Sequence, residues 1–471
     1  MKWLVEGEKP SNYFCNLENK NFLEKTIKKL KTQNGKILND QKEILAYIKL
    51  YYENLFANKD TSLEDVNLAE ILKKANIRTA SNHELGNLIT TTELGQVLKA
   101  MKPNKTPGMD GITTEFLKCF WAKLKYFVAN AINSCFLKGK LSTTLRQSII
   151  TCIPKGNKDR IEMKNWRPIS LLCTTYKLAS GVIAMRVKSI LDNIISKTQR
   201  GFIAGRQMSD CTRLIYDIIH TSENQNLQGL LMLIDFEKAF DSISWNFLYK
   251  SLKLFGLSEN FIKWVKLFNN DTKAYVLQCG FLSEPISIGR GCKQGDPLSP
   301  YLFLFGAEIL ALLLILNPDV VGLKLFTHEF KLTQFADDTT LILDGTQNSL
   351  QAALNTLEIF GNFSGLKMNR EKTRVIWIGR KKHSKDKLKV SVNLDWGKTE
   401  FVLLGITFDV DLAKMPEINL NSTMNKAECQ LKKWKIRKLT PLGKITVLKS
   451  LILSKFIHIF LVLPVPETFM H

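Results

Sequence analysis

Leu231-Met232-Leu233-Ile234 is an apolar run that ends on Asp235, and about a hundred residues later Asp337 and Asp338 sit side by side between the short strand-like runs Gln334-Phe335-Ala336 and Thr339-Thr340-Leu341-Ile342-Leu343. Carboxylates within hydrogen-bonding distance repel by about 4 kcal/mol per pair at an effective dielectric near 20. A cluster of three therefore takes up protons or holds cations. An all-oxygen site suits divalent magnesium, which keeps positions open for water and substrate phosphates. Two such ions about 4 Å apart hold the attacking and leaving oxygens of a phosphoryl transfer. The pattern points to metal-assisted nucleotidyl transfer. Taken alone, Asp337-Asp338 is equally a hairpin turn and Asp235 a strand-terminal cap, so the surrounding sequence has to decide.

At 471 residues the chain can bury a large core, and length alone allows two to four domains or subdomains. Lys and Arg number 66 against 44 Asp and Glu, a formal charge of +22. Such an excess favours a polyanionic partner through counterion release and steering, nucleic acid ahead of an anionic membrane. The nine cysteines form no CxxC pair, which predicts reduced thiols in an intracellular protein and no structural zinc site. Glu6 and Glu8 interrupt the N terminus before an apolar stretch develops, so no signal peptide is expected. Tyr301 to Leu316 is apolar but only 16 residues long and contains Gly306 and Glu308, the profile of a buried core helix.

Along the chain, residues 1–100 read as mainly helical, with Ile44, Ile48, Tyr51, Tyr52 and Leu55 at helical spacing. A turn-rich loop, Lys102 to Gly111, precedes a predicted helix from Thr114 to Leu137. Ser148 to Lys155 reads as a strand, and Pro168 opens a segment whose Leu171, Leu172, Tyr176, Leu178, Ile183 and Val187 suit a buried helix. Beyond Phe335 come a strand, a helix from Asn348 to Phe363 stopped by Gly365, and a strand at Val375 to Ile378. Gly379 to Lys389 looks like a solvated loop, and the last 60 residues are helical and basic. Without βαβ regularity, an α+β sheet with helices on one face is expected.

Asp235-Phe236-Glu237-Lys238-Ala239-Phe240-Asp241, Gln294-Gly295-Asp296-Pro297-Leu298-Ser299-Pro300 and Phe335-Ala336-Asp337-Asp338 occur in that order. With them the chain resembles the reverse transcriptases of non-LTR (long interspersed element) retrotransposons. Ile153-Pro154-Lys155, Asn165-Trp166-Arg167-Pro168, Gln199-Arg200-Gly201-Phe202 with Gly205-Arg206, Gly365 to Asn369 with Lys372-Thr373, and Leu403-Leu404-Gly405-Ile406 extend the likeness. Glu6-Gly7-Glu8-Lys9-Pro10 and Lys432-Lys433-Trp434-Lys435-Ile436-Arg437-Lys438 carry it to both ends. The resemblance implies an α+β right-hand polymerase. It would comprise a helical N-terminal extension (1–100), fingers with early palm elements (101–230), a palm with an antiparallel sheet backed by helices, the catalytic motifs and the primer grip (231–410), and a helical thumb, complete or truncated (411–471).

Asp235, Asp337, Asp338 and the backbone of Phe236 would hold two magnesium ions, with manganese as a substitute. Lys372 would protonate the leaving pyrophosphate. The incoming deoxynucleoside triphosphate would meet Lys155, Arg167, Phe240, Gln294 and Gly295, with the flat ring of Phe240 leaving no room for a 2′ hydroxyl. Asp296 is expected to be a loop cap. Arg206, Leu404, Gly405, Lys432, Lys433, Lys435 and Arg437 would contact an RNA template and DNA primer, while Trp434 packs into the thumb. The implied activity is RNA-directed DNA synthesis in a cytoplasmic ribonucleoprotein and the nucleus, with no membrane and no obligate protein partner in view. A catalytically inactive RNA-binding relic and an intron-maturase-like protein are the alternatives. Family members commonly add an endonuclease upstream and a cysteine-rich segment downstream, so the chain is expected to be a fragment lacking both.

Overall fold

The computed structural model describes residues 15–16, 26–58, 83–156, 158–396, 399–437 and 439–469. The Glu6 to Pro10 motif and Lys438 lie outside the described residues. Gln228–Ile234 is the middle strand of a five-stranded sheet ordered Leu332–Phe335, Asp338–Leu343, Gln228–Ile234, Arg374–Gly379, Asp395–Trp396. Neighbours run antiparallel except Asp395–Trp396, which is parallel to Arg374–Gly379. The register sets Thr339 opposite Ile234 and Thr340 opposite Leu233. One further step along that ladder brings Asp338 level with Asp235.

Helices cover both faces of this sheet, where one was expected. Leu230, Leu231 and Met232 are all fully buried, which consecutive strand residues achieve only when both faces are packed. Leu230 and Met232 join the large core built around the helices Ser299–Leu316 and Gln347–Ser364. Leu231, with Ile342, Ile376 and Ile378, packs instead on Ile215, Ile218 and Ile219 of the helix Met208–Asn224. The unbroken apolar run Leu230 to Ile234 is the signature of that burial, because a one-sided strand would alternate with polar residues.

A second, mixed sheet is ordered Trp166–Leu172, Gln147–Pro154, Lys273–Gln278, Phe281–Leu282, with Ile286–Ser287 also paired to Lys273–Gln278. It corrects the helix expected from Pro168: Leu171 and Leu172 belong to the strand, and only Tyr176, Leu178, Ile183 and Val187 lie in the helix Thr174–Lys188. Pro168 is tolerated because Trp166–Leu172 is an edge strand, where a missing N–H costs no ladder bond. The helix Gln41–Phe56 docks on this sheet, with Ile44, Ile48, Tyr52 and Phe56 in one core with Ile150, Trp166 and Val276. The N-terminal residues that are described thus include a helix that shares the core of the second sheet, and also a small hairpin, Leu30–Lys31 with Ile37–Leu38.

The apolar helix Ser299–Leu316 is long enough to cross a membrane, but 72% of it is buried inside the protein. Its Glu308 is buried and accepts hydrogen bonds from the Ser196 N–H and hydroxyl at 3.0 and 3.1 Å. All nine cysteines are free.

The hairpin Glu400–Leu403 and Ile406–Asp409 turns through Leu404 and Gly405 at φ 48° and 86°, the two-residue connection that suits strand twist. Helices Met415–Lys435, Pro441–Val447 and Ser454–Phe460 follow. The Gly379 to Lys389 stretch is less solvated than expected, since Lys382 pairs with Glu223 at 2.6 Å and Asp411 at 2.9 Å. The Lys382 and Lys414 ammonium groups hydrogen-bonded to Asp411 hold its carboxyl down to about 2. A depressed acid stabilises the fold above its ordinary value of 3.8 and loses that contribution as pH falls toward about 2. Asp411→Asn is expected to lower stability by under about 1 kcal/mol at neutral pH, as for other part-exposed pairs. In thermal melts followed by circular dichroism the difference should fade over that acid range, and a pH-independent difference would contradict it.

Candidate active site

Asp337 and Asp338 leave the tight turn between Leu332–Phe335 and Asp338–Leu343, where Ala336 adopts φ 55°. Asp235 follows the central strand, and the segment after the helix Gln347–Ser364 folds back over it. Asn369 N–H donates to the Asp235 carbonyl at 2.7 Å, Glu237 N–H to the Lys367 carbonyl at 2.9 Å, and the Lys372 ammonium lies 3.3 Å from the Asp235 carboxylate. Burial foremost, then the charges of Asp337 and Asp235, push the Asp338 carboxyl up to about 6. Asp337 is raised by burial and by the Asp235 charge, against the pull of Arg167. Three mutually repelling carboxylates at adjoining strand ends are a donor set that a hard divalent cation would relieve. Among the described residues no three His, Cys, Asp or Glu side chains are already drawn together as a metal cage, and Lys372 provides the positive charge beside Asp235.

These acids open into a cleft of about 1870 Å³ whose walls include Phe236, Lys372, Lys155, Arg167, Phe240, Gln294 and Gly295. Folding therefore gathers every residue predicted for catalysis, metal and nucleotide on one surface. The Phe240 ring stacks on Phe303 at 4.4 Å and 19° and meets Phe202 edge-on at 6.4 Å. Lys155 donates to the Lys164 carbonyl at 2.9 Å, and burial, then the charges of Lys372 and Arg167, lower its pKa. Asp296 caps the Leu298 N–H at 3.2 Å and accepts from the Tyr176 hydroxyl at 3.4 Å, the loop cap expected.

Two details differ from the sequence reading. The Gln294 amide donates to buried Asp241 at 3.2 Å, so its side chain braces the wall from behind. Gly295 is demanded by packing: at φ 118° a Cβ there would sit 2.6 Å from the Ser170 carbonyl oxygen, while Ser170 N–H donates to the Gln294 carbonyl at 2.8 Å. The reading also missed Tyr51, Lys238, Asp241 and Arg290, all lining the cleft. Lys238, at φ 48°, lies 3.8 Å over the Tyr51 ring and contacts its hydroxyl. Burial lowers Lys238 to about 8 and raises Asp241 to about 6. Arg290 donates to the Leu55 carbonyl at 2.7 Å. The helix Gln41–Phe56 thereby forms part of the wall. Lys238 and Asp241 could have been noticed as charges inside a motif that then had to be buried, but nothing local ties Tyr51 to them.

Arg206 requires a correction as a nucleic-acid contact. Its guanidinium bonds the carbonyls of Ile195, Ser196 and Gln199 and the Asp192 carboxylate, and its side chain is only 8% exposed. Every donor faces this chain. Leu404 and Gly405 form the hairpin tip and are not among the residues lining the cleft, and the Leu404 carbonyl lies 3.0 Å from His458 Nε2. Lys432, Lys433, Lys435 and Arg437 are exposed at the end of their helix. Trp434 is half-buried with Arg437 4.4 Å over its ring, so packing and a cation–π contact share that indole.

Residues 153–408, more than half of the chain, match the family described as reverse transcriptase (RNA-dependent DNA polymerase). The chain belongs to the reverse transcriptase family. As a reverse transcriptase it is 30% identical over 376 residues to the transposon TX1 uncharacterized 149 kDa protein of Xenopus laevis, covering 79% of this chain and 28% of that protein. It is 28% identical over 275 residues to the Pol polyprotein from the type-2 retrotransposable element R2DM of Drosophila melanogaster, 58% of this chain and 25% of that one. To the RNA-directed DNA polymerase from mobile element jockey of Drosophila melanogaster it is 23% identical over 332 residues, 68% of this chain and 35% of the other. The aligned part is thus a quarter to about a third of these relatives, and all are non-LTR retrotransposon products. Reverse transcriptases use divalent metal ions, a nucleic-acid template and primer, and nucleotide substrates.

Proposed function

We propose that this chain extends a DNA 3′ end on an RNA template from deoxynucleoside triphosphates. The observation that carries the proposal is the meeting, in one cleft, of Asp235 with Asp337 and Asp338 and of both with Lys155, Arg167 and Phe240. The three carboxylates and the Phe236 carbonyl would hold two magnesium ions, or manganese in their place. Bound there, the ions supply charge neutralisation and a lowered pKa for the attacking 3′ hydroxyl. Arg167 and Lys155 bind the triphosphate, the first through a bidentate fork and the second as a point charge. Lys372, beside Asp235, is placed to hand a proton to the leaving pyrophosphate. Phe240 excludes the 2′ hydroxyl.

In this reading the second sheet belongs to the fingers, which thereby take in Lys273–Gln278, Phe281–Leu282 and Ile286–Ser287 from the stretch expected to be palm, while the central sheet belongs to the palm and the helices from Met415 onward to the thumb. The Leu404-Gly405 hairpin tip meets the primer, and Lys432, Lys433 and Lys435 track the duplex backbone. A ribonucleoprotein in the cytoplasm and nucleus is the matching location.

The test is primer extension by the purified chain on a primed RNA template. Extension is expected to need a divalent cation and to stop on chelation. Binding of the primed template should weaken with salt at a log–log slope near 0.9 per phosphate contacted. Steep salt-dependent binding without extension would turn the assignment to an RNA-binding relic.

A further inference from the structure

The turn that carries Asp337 and Asp338 is held from outside its own sheet. Ala336 stands at φ 55°, a conformation that costs a non-glycine residue roughly 1–2 kcal/mol and persists only where neighbours over-determine it. Gln199, fully buried, does this with one side chain. Its Oε1 accepts from the Ala336 N–H and from the Gly201 N–H, both at 2.8 Å, and its Nε2 donates to the Ala336 carbonyl at 3.2 Å. Both backbone polar groups of the residue before Asp337 therefore end on Gln199. The amide orientation is fixed by these partners, since the flipped form would set its NH₂ against two N–H donors.

The strand of chain bearing Gln199 is itself anchored. Gln334 N–H donates to the Thr198 carbonyl and Arg200 N–H to the Gln334 carbonyl, both at 2.8 Å. Arg206 gathers the carbonyls of Ile195, Ser196 and Gln199, and Glu308 in the core helix holds Ser196. Contact with the turn is so close that a Cβ on Gly201 would sit 2.5 Å from the Ala336 nitrogen. A continuous hydrogen-bonded line runs from the core helix to the acidic turn.

We infer that Gln199 is a positioning residue, which fixes the backbone of the Asp337-Asp338 turn and through it the geometry of the three carboxylates. The inference rests on the proposal that those carboxylates serve metal-dependent polymerisation. Glutamate at this position could still accept from both N–H groups but, once ionised, could not donate to the Ala336 carbonyl, and leucine could do neither.

The experiment compares Gln199→Leu and Gln199→Glu with the unaltered full chain in primer extension, and titrates Mn²⁺ onto each protein alone by electron paramagnetic resonance. Gln199→Leu is expected to lower kcat about 10- to 100-fold, the cost of a displacement near 1 Å at a reacting centre. The KM for deoxynucleotide should stay near the wild-type value, because the side-chain hydrogen bonds of Gln199 go to Ala336 and Gly201 and none to Lys155, Arg167 or Phe240. Mn²⁺ should bind the same variant about tenfold more weakly, and Gln199→Glu should fall between leucine and wild type in both measurements. A cooperatively melting Gln199→Leu with wild-type kcat and Mn²⁺ affinity overturns the inference, as does Gln199→Glu no better than leucine with kcat and KM impaired together. If the leucine variant does not melt cooperatively, Gln199→Glu decides: reduced kcat at unchanged KM with weaker Mn²⁺ supports the inference, and wild-type values overturn it. A wild-type chain that binds Mn²⁺ but extends nothing would defeat the polymerase proposal, and the Mn²⁺ titrations would still judge the brace.

Discussion

Replacing Asp337 and Asp338 together by alanine is expected to reduce primer extension at least about 10³-fold while raising the thermal midpoint of the metal-free protein. Both effects come from the same charges. Carboxylates that hold cations at a transferring phosphoryl group supply several kcal/mol of transition-state stabilisation, and each 1.36 kcal/mol is about tenfold in rate. In the metal-free fold burial foremost, and then the repulsion among those carboxylates, pushes Asp338 up to about 6 and raises Asp337. An acid whose folded pKa is raised binds its proton more tightly when folded. Stability is therefore lost as pH rises from 3.8 through about 6 and stays lower above. The double variant should lack that part of the slope. Adding a divalent cation should raise the midpoint of the wild-type chain and not of the variant. Scanning calorimetry across pH, with and without magnesium, reads all three. A variant that keeps about a tenth of the wild-type rate would remove the two residues from the chemistry, and a lower midpoint at neutral pH would mean that their contacts outweigh their repulsion.

What could be read from the sequence was local. The apolar run ending on Asp235, the paired acids after Ala336 and the helix stopped by Gly365 at φ 80° each announce themselves within a few positions. So do the motif residues that line the cleft. What could not be read depends on partners brought from far away. Arg206 looks like a template contact until Ile195, Ser196 and Gln199 turn their carbonyls toward it. Tyr51 is 187 residues from Lys238, and Gln199 is 137 from Ala336. The same limit explains the strand at Leu171 and Leu172: an apolar run after proline fits a helix or an edge strand, and only the neighbouring Gln147–Pro154 decides.

Phe240→Val is expected to raise ribonucleotide incorporation relative to deoxynucleotide incorporation by roughly 5- to 150-fold, the factor that corresponds to about 1–3 kcal/mol. That energy is the cost of forcing extra atoms into a space whose wall cannot yield, and the surroundings of Phe240 explain why this wall is stiff. The ring lies 4.4 Å from Phe303 in a stacked pair and is met edge-on by Phe202. Its backbone carbonyl accepts from the Cys292 N–H at 2.6 Å, just ahead of the loop that bears Gln294. Phe303 is in turn buried in the core helix Ser299–Leu316. A ring wedged between two others cannot swing aside for a 2′ hydroxyl, whereas valine ends short of it. Deoxynucleotide use should change by only about threefold, because no polar contact to the triphosphate is removed. Single-nucleotide incorporation, comparing kcat/KM for matched ribo- and deoxynucleotides, measures the ratio directly. Phe240→Tyr keeps the ring and should keep the selectivity, which separates loss of the flat wall from general disturbance of the cleft. Equal sugar discrimination in wild type and Phe240→Val would leave Phe240 as packing for Phe303 and place the discrimination elsewhere in the cleft.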